Sequence, residues 1–159
     1  MDKEELKTIL HLGKITHVGC VVRNLSKSIE NYQETIGIGP FTTLELHPKK
    51  SFIKGHKPDF LLKIGFAQLT PELSLELIEV VSGDTPHREF LEEHGEGVQH
   101  LCFLTDEFDQ VLKRAEKLGI ELLMWGEDDV PGMGHMRAAY LDTYDLIGVL
   151  VEITEVKPF

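Results

Sequence analysis

Short apolar runs and amphipathic segments alternate along the chain. The first run, Ile15 to Val22, is rich in β-branched residues and apolar on both faces, which predicts a buried strand. Apolar positions then recur at helical spacing from Leu25 to Ile36, and the flanking Asn24 and Gly37 suit the two ends of a helix. Three strand-like runs follow, at Phe41 to Leu46, Phe60 to Leu69 and Leu73 to Val81. This stretch therefore predicts a β-α-β-β-β unit.

The same pattern restarts after a short linker helix. Pro86 suits the first position of a helix that ends at Gly95. The next run, Val98 to Thr105, repeats the first strand, and a helix capped by Asp106 and closed by Gly119 follows it. The last three strand-like runs are Ile120 to Trp125, Met136 to Asp142 and Gly148 to Val156. The second half thus predicts a second β-α-β-β-β unit.

A single α+β domain made of two such modules is the predicted organisation. A length of 159 residues suits one compact domain. Its predicted parts are an N-terminal extension at 1–14, a first module at 15–81, a linker helix at 82–96 and a second module at 97–157. In the extension, Leu6, Ile9 and Leu10 lie at helical spacing and would pack on the sheet or on a partner.

Two loops are predicted between the strands. Residues 47–59 contain Pro48, Gly55 and Pro58 among four lysines, which indicates a mobile loop. Residues 126–137 are rich in glycine, which indicates a second loop.

Aligning the two modules brings two histidines and two glutamates into register. His17 in the first strand of one module falls on His100, and Glu76 in the last strand falls on Glu152. A lone histidine in an apolar strand is usually a hydrogen-bonded core residue, and a lone glutamate usually lies on a solvated face. Four such residues at matching places in two repeats are harder to explain by independent accidents.

A divalent metal ion would explain why these four residues sit in apolar strands. An unpaired buried charge is costly, whereas imidazole nitrogen and carboxylate oxygen together suit Fe, Mn, Co, Ni or Zn. Two modules related by a pseudo-twofold axis would bring His17, Glu76, His100 and Glu152 together. The remaining histidines are predicted to be surface residues, except His135, which could line the mouth of a site; the surface set is His11, His47, His56, His87 and His94.

Composition and charge narrow the classes of partner. Acidic residues outnumber basic ones 27 to 16, for a net charge of -11, and such a surface repels phosphate backbones and anionic lipids. Nucleic acid and membranes are therefore not expected as partners. Cys20 and Cys102 lie in apolar runs and are predicted to be reduced, buried thiols. With no signal peptide or long apolar segment, a cytoplasmic protein is expected.

Several segments together resemble the vicinal oxygen chelate superfamily, which includes glyoxalase I, extradiol dioxygenases and methylmalonyl-CoA epimerase. They are ITHVGCVV with IENYQETIGI, LELIEV, DTPHREFLEEHGEGVQHLCF and GVLVEITE, and they span most of Ile15 to Glu155. The likeness is greatest to the epimerase branch. It implies a cupped, eight-stranded mixed sheet with helices on its outer face, a metal site in the cup and a small-molecule substrate that chelates the metal.

For the epimerase branch, the resemblance implies a metal-dependent isomerase that removes the C2 proton of an acyl-CoA through a metal-stabilised enolate. One catalytic glutamate of that branch finds no counterpart in FLLKIGFAQL, where Lys63 is the one ionisable residue. Glu152, as ligand and base, or Lys63, with a lowered pKa, is the expected substitute. An exposed Lys63 on an edge strand is the simpler interpretation.

The resemblance also suggests contacts around the substrate. Gly134, His135 and Arg137 stand where family members approach the substrate carboxylate. A basic cluster in the first predicted loop could steer the phosphates of a CoA tail or be merely solvated; it comprises Lys49, Lys50, Lys54 and Lys57. A homodimer is expected, as is common in the family.

Two alternatives stay open. A glyoxalase I-like lyase, acting on a thiol hemithioacetal, would use the same four ligands with a different pocket. A non-catalytic binding module of the same fold would sequester a small molecule and need no metal. Dioxygenase chemistry is disfavoured, because its usual two-histidine, one-carboxylate site leaves three open positions rather than two.

Overall fold

The computed structural model describes residues 9–47, 50–53 and 57–159. The first module contains β1 (Lys14–Val21), α1 (Leu25–Ile36), β2 (Phe41–Leu46), β3 (Lys50–Ile53), β4 (Leu61–Thr70) and β5 (Leu73–Ser82). The helix α2 (Pro86–His94) follows. The second module contains β6 (Gly97–Leu104), α3 (Phe108–Lys117), β7 (Leu122–Val130), β8 (Gly134–Leu141), α4 (Tyr144–Ile147) and β9 (Leu150–Lys157).

The strands form one mixed sheet in the order β2-β4-β5-β1-β6-β9-β8-β7-β3. At its centre, β1 and β6 are antiparallel and join the two modules. Each module repeats one parallel pair, β1 with β5 and β6 with β9. The predicted α+β fold with two repeated modules is therefore confirmed, with nine strands among the described residues instead of eight.

The ninth strand corrects the loop predicted at 47–59. Within that stretch, β3 pairs antiparallel with β7 of the other module. Its four residues are too few to show an alternating pattern, and their partners on β7, among them Trp125, are distant in the sequence. Of the predicted basic cluster, Lys49 and Lys54 lie outside the described residues, as does Leu6 of the N-terminal extension.

The two ends of this sheet lie close together. β2 and β3 are its opposite edges, yet only residues 47–49 separate them along the chain. Four residue steps reach about 14 Å at most, so the sheet curls until its edges nearly meet. The result is a cup with an inner and an outer face.

Three apolar clusters hold the cup. The inner face contains a cluster around Leu62, Ile78 and Tyr140. On the outer face, α1 covers the first module through Leu25, and α3 covers the second through Val111. Helices on the outer face were predicted and are observed. Because α1 and α3 pack on the outer face, the inner face is available for the site described below.

Both ends of α1 lie where the sequence predicted them, whereas the start of α3 does not. The Asn24 side chain accepts a hydrogen bond from the backbone N–H of Lys27, and Gly37 takes the left-handed conformation with φ 70°. Asp106 was predicted to cap α3 and is not the cap. The helix begins one residue later, with Glu107 at the capping position and no side-chain capping bond.

The glycine-rich stretch 126–137 is a strand hairpin and not the predicted loop. β7 runs to Val130 and β8 starts at Gly134, so the turn is limited to residues 131–133. Polar residues of this stretch form cross-strand pairs. His135 lies 2.8 Å from Asp129 and 3.2 Å from Glu127. Such pairs stabilise charged residues within a sheet.

Candidate metal centre

Four neighbouring strands at the centre of the sheet carry the four predicted ligands. The strand order β5-β1-β6-β9 sets them side by side: Glu76 on β5, His17 on β1, His100 on β6 and Glu152 on β9. Side chains on a strand alternate between its two faces, and these four share the inner face. Glu79 and Glu155 have the opposite parity and lie elsewhere. Glu79 accepts a hydrogen bond from the Leu25 backbone at the start of α1.

Gly19 provides the space for one of these ligands. It is the cross-strand partner of His100 in the β1–β6 ladder. A Cβ atom built at Gly19 would overlap the imidazole ring of His100. A residue without a side chain is therefore needed here for the ring to reach the centre of the cup.

The ligand atoms of the four residues form a tight cluster. His17 Nε2 lies 3.1 Å from Glu76 Oε2 and 3.0 Å from Glu152 Oε2. His100 Nε2 lies 3.0 Å from Glu76 Oε2 and 3.2 Å from Glu152 Oε2. The two Nε2 atoms are 3.3 Å apart. Two imidazole nitrogens and two carboxylate oxygens thus surround one point.

This arrangement fits a divalent metal ion. Two ligands that lie about 2.1 Å from one ion and at right angles to each other are about 3.0 Å apart, close to the nitrogen–oxygen separations observed. The four ligand atoms all lie within 4.8 Å of one another. Nitrogen and oxygen donors of this kind suit Fe, Mn, Co, Ni or Zn, and in an octahedron they leave about two positions open.

Without a metal, hydrogen bonds between protonated imidazoles and ionised carboxylates hold the same four side chains together. Burial raises the pKa of Glu76, but its contacts with His100 and His17 outweigh burial and lower that pKa to about 2. The same balance holds the pKa of Glu152 far below its usual range. Burial lowers the pKa of both imidazoles. Hydrogen bonds with Cys102, Glu152 and Glu76 nevertheless raise the pKa of His17, and hydrogen bonds with Glu152 and Glu76 raise the pKa of His100. A metal ion would replace protons here.

Gln99 fixes the orientation of the His100 ring. The Gln99 Oε1 atom accepts from Nδ1 of His100 at 2.9 Å, which leaves the Nε2 lone pair of that ring for a metal. The same oxygen accepts from Nδ1 of His87 at 2.8 Å. Both residues are fully buried, so the prediction that His87 lies on the surface is wrong.

Sequence analysis missed His87 and Gln99 because both positions look polar. The available signal is on α2, where His87 and Phe90 are three residues apart and share the buried face. Gln99 is harder to find, since it precedes His100 directly and lies where the β1–β6 ladder shifts register.

A cavity of about 430 Å³ opens onto the ligand cluster. Its wall is mainly apolar and includes Leu62, Ile64, Phe66, Ile78, Met124, Met136 and Tyr140, together with His17, Glu76, His87 and Glu152. Acidic residues, among them Asp128, lie along it, and no lysine or arginine of the described residues contributes to the wall. The cavity is therefore suited to a largely apolar molecule that reaches the ligand cluster.

Four predicted site residues lie away from this cavity: Lys63, His135, Arg137 and Gly134. Lys63 is exposed and faces Glu45 across β4 and β2, whereas its neighbours Leu62 and Ile64 line the cavity. His135 is not part of the cavity wall and pairs with Asp129 and Glu127. Neither Lys63 nor His135 is brought to the four ligands.

Arg137 is held on the outer face. Its guanidinium donates to Glu155 at 3.0 Å and to Asp109 at 3.0 Å, and it lies 4.3 Å from the centre of the Phe108 ring. Gly134 lies at the start of β8, where a Cβ would meet the backbone of Lys157. The structure thus assigns these two residues contacts within the fold.

Paired β-α-β-β-β modules around a buried two-histidine, two-glutamate cluster define a class of cupped α+β folds with a candidate metal site. Residues 16–140 match the Glyoxalase/Bleomycin resistance protein/Dioxygenase superfamily. The chain belongs to this superfamily, whose members are typically metal-dependent enzymes.

Three similar proteins illustrate the range of the superfamily. The uncharacterised protein YqjC of Bacillus subtilis (strain 168) is 24% identical over 92% of this chain and 94% of its own length. The 4-hydroxyphenylpyruvate dioxygenase of Caenorhabditis briggsae is 26% identical over 90% of this chain, which spans only 34% of that protein. A variant of Streptomyces coelicolor methylmalonyl-CoA epimerase, solved in complex with 2-nitronate-propionyl-CoA, is 26% identical with a TM-score of 0.62, and covers 91% of this chain and 94% of its own.

None of the helices within the described residues is both long and apolar enough to cross a membrane.

Proposed function

We propose that this protein is a metal-dependent isomerase that removes a proton beside a carbonyl group of a small, oxygen-chelating substrate. The proposed reaction is the epimerisation of a methylmalonyl-CoA-type acyl thioester. The observation that carries the proposal is the four-ligand cluster, whose nitrogen–oxygen separations of 3.0 to 3.2 Å suit one divalent ion. The 26% identity to an epimerase, over nearly the full length of both chains, supports the choice of reaction.

The ligand residues would hold Co, Mn, Ni, Zn or Fe, and the bound ion would act as a Lewis acid on the oxygens of the substrate. His17, His100 and Glu76 would then be positioning groups for that ion. Gln99 would keep the His100 ring in the tautomer that a metal ligand requires.

Glu152 is the proposed base. Its Oε2 atom faces both imidazoles, and its second carboxylate oxygen is the proposed acceptor for the C2 proton. Lys63 was the alternative base suggested by the sequence. Its exposed position opposite Glu45, away from the cavity wall, gives it no part in this proposal.

The charge of the cavity favours a second candidate function. A malonyl-type CoA ester brings several negative charges, and the described part of the cavity wall has no lysine or arginine to meet them. A glyoxalase I-type lyase that acts on the hemithioacetal of a less charged thiol would use the same four ligands. This reaction also begins with proton removal beside a carbonyl group, from the hemithioacetal carbon.

Deuterium exchange at C2 of methylmalonyl-CoA tests the first proposal. The protein is loaded with Co(II), checked for one metal per chain and incubated with the substrate in heavy water. We expect rapid exchange that EDTA abolishes and that Glu152→Gln reduces by about 100-fold or more. Glu155→Gln is the matched control, since this glutamate lies three residues further along β9 with its side chain on the opposite face.

The outcomes separate the two functions. One metal per chain without exchange would move the function to the hemithioacetal reaction, assayed with the same two variants. Failure to bind a metal at all would overturn the metal-dependent proposal and favour a non-catalytic binding module.

A further inference from the structure

One buried polar atom in the cavity wall has no partner. Among the buried side-chain nitrogen and oxygen atoms of the described residues, Nε2 of His87 alone makes no hydrogen bond. His87 is 1% exposed and lies in the first turn of α2, where it forms part of the cavity wall. Leaving a buried acceptor or donor without a partner is unfavourable, so such an atom needs an explanation.

The hydrogen bonds around Gln99 show which role this atom plays. The Gln99 amide nitrogen donates to the backbone carbonyl of Pro86 at 3.3 Å, which orients its Oε1 atom toward the two imidazoles. A carbonyl oxygen only accepts, so Nδ1 of His87 and Nδ1 of His100 must both carry the hydrogen. In a neutral His87 ring, Nε2 is therefore a lone-pair acceptor on the edge opposite Gln99.

The position of the His87 ring places this acceptor beside the metal centre. The ring packs edge-on against Tyr140, with centroids 5.1 Å apart, and its centroid is 6.2 Å from that of His100. Tyr140 packs against His100 in the same way, at 5.1 Å. The His87 ring thus belongs to the same cavity wall as the ligand cluster.

We propose that Nε2 of His87 is a substrate-binding group, which accepts a hydrogen bond from an O–H or N–H of the molecule bound at the four-ligand cluster. This inference rests on the proposed function, because it requires a molecule chelated there. It adds one requirement to the substrate class of the proposed function: a hydroxyl or amide donor close to the two chelating oxygens. Most of the remaining wall is apolar, although Ser51, Thr154 and several acidic residues also line the cavity.

Matched chelators with and without a donor test this assignment on the zinc-loaded protein. The first pair is benzohydroxamate and N-methylbenzohydroxamate, which differ at the N–H beside the chelating oxygens. The second pair is 2-hydroxybenzohydroxamate and 2-methoxybenzohydroxamate, which places the donor farther from the metal. Dissociation constants are measured for the native protein, for His87→Phe and for His94→Phe, the matched control, which changes an exposed histidine on the same helix.

The expected result is a preference that depends on His87. The preference is the dissociation constant of the methylated analogue divided by that of the donor-bearing chelator. In at least one pair, this ratio should be about tenfold larger for the native protein and for His94→Phe than for His87→Phe. In spectra of protein with 15N-labelled histidine, the Nε2 resonance that His87→Phe removes should move only when a donor-bearing chelator is added. That resonance reports the acceptor directly and requires no turnover.

Three results would overturn the inference. The first is an equal preference in the native protein and His87→Phe for both pairs, with one zinc bound per chain. The second is an Nε2 resonance that already shows a hydrogen bond without chelator and does not change, which would mean that a buried water fills the position. The third is a protein that binds no zinc, which would also overturn the metal-dependent function and so is distinct from the other two.

Discussion

At the scale of single residues, the candidate metal centre depends on Gly19 having no side chain. The imidazole of His100 fills the space where Gly19 would carry a Cβ. The strand can therefore bring a ring ligand to its inner face only beside a glycine on the neighbouring strand. Neither the apolar run around Gly19 nor the repeat reveals this requirement, since it arises from contact between strands of different modules.

Replacing Gly19 with alanine should displace His100 from the ligand cluster. We expect Gly19→Ala to weaken Co(II) binding by about 100-fold, as expected for the loss of correct ligand geometry. Gly65→Ala is the matched control, because a Cβ there would meet the flexible ends of Leu25 and Ile29 on the outer face. Metal titration followed by the Co(II) absorption spectrum measures both variants, and native affinity in Gly19→Ala would contradict the prediction.

The ligand residues should make the stability of the metal-free protein depend on pH in both directions. The pKa of His17 and of His100 is raised above the unfolded value of 6.5, so their contribution is complete below pH 6.5 and declines as the pH rises above it. The pKa of Glu76 is lowered from 4.5 to about 2, so its contribution is complete above pH 4.5 and declines as the pH falls toward 2. The metal-free protein should be most stable between these limits.

Thermal unfolding with and without zinc checks this pH dependence. The metal-free Tm should fall as the pH rises from 6.5 to 8.5, whereas the zinc-loaded Tm should stay level or rise, because a metal binds the deprotonated imidazoles. A metal-free Tm that increases over this interval would show that the imidazoles are not charged in the folded state.

At the scale of elements, most segments with a clear helical or strand periodicity were predicted. The strands that were missed share one cause. The helix α1 could be placed because its caps and apolar positions are local features of the sequence. The strand β3 and the hairpin at 126–137 were taken for loops from their proline, glycine and lysine content. The contacts that make them strands, such as the ion pair of Lys50 with Glu127, join different strands and cannot be read from either segment alone. His87 was missed for a related reason, because its partner Gln99 lies on another element.

The start of α1 should contribute measurably to stability. The side chains of Asn24 and Glu79 accept from the Lys27 and Leu25 backbones, so two of the free N–H groups of the first turn are satisfied. We expect Asn24→Ala to lower the free energy of unfolding by about 1 kcal/mol and Asn24→Ser to lower it much less. Urea denaturation measures both variants, and equal losses would argue against the capping bond. Metal affinity should not change, because α1 lies on the outer face.

At the scale of the whole molecule, the two faces of the sheet have separate tasks. The inner face carries the four ligands and the cavity, and the outer face carries the helices and the ion pairs that fasten them. The repeat predicted this division for Glu76 and Glu152, since strand parity follows directly from sequence. It could not decide the face of Arg137, because its hairpin was taken for a loop.

Arg137 should therefore affect stability and not the metal centre. It joins α3 to the sheet through Asp109 and the largely buried Glu155. We expect Arg137→Met to lower the free energy of unfolding by about 2 kcal/mol, with metal affinity unchanged. Arg23→Met, at an exposed arginine outside this network, should cost much less. If Arg137→Met weakened chelator binding but not stability, the residue would belong to the substrate site after all.

The predicted homodimer stays a prediction at this scale. Sedimentation equilibrium of the metal-free and the zinc-loaded protein would measure the assembly directly.

The short connection between β2 and β3, residues 47–49, covalently links the two edge strands of the cup. The two edge strands cannot separate by more than about 14 Å at that point without breaking the pairing of β3 to β7. The length of this connection therefore sets an upper limit on the width of the cup between its two edge strands. Inserting residues into this connection would therefore widen the cup for a larger ligand more directly than shortening the side chains that line the cavity.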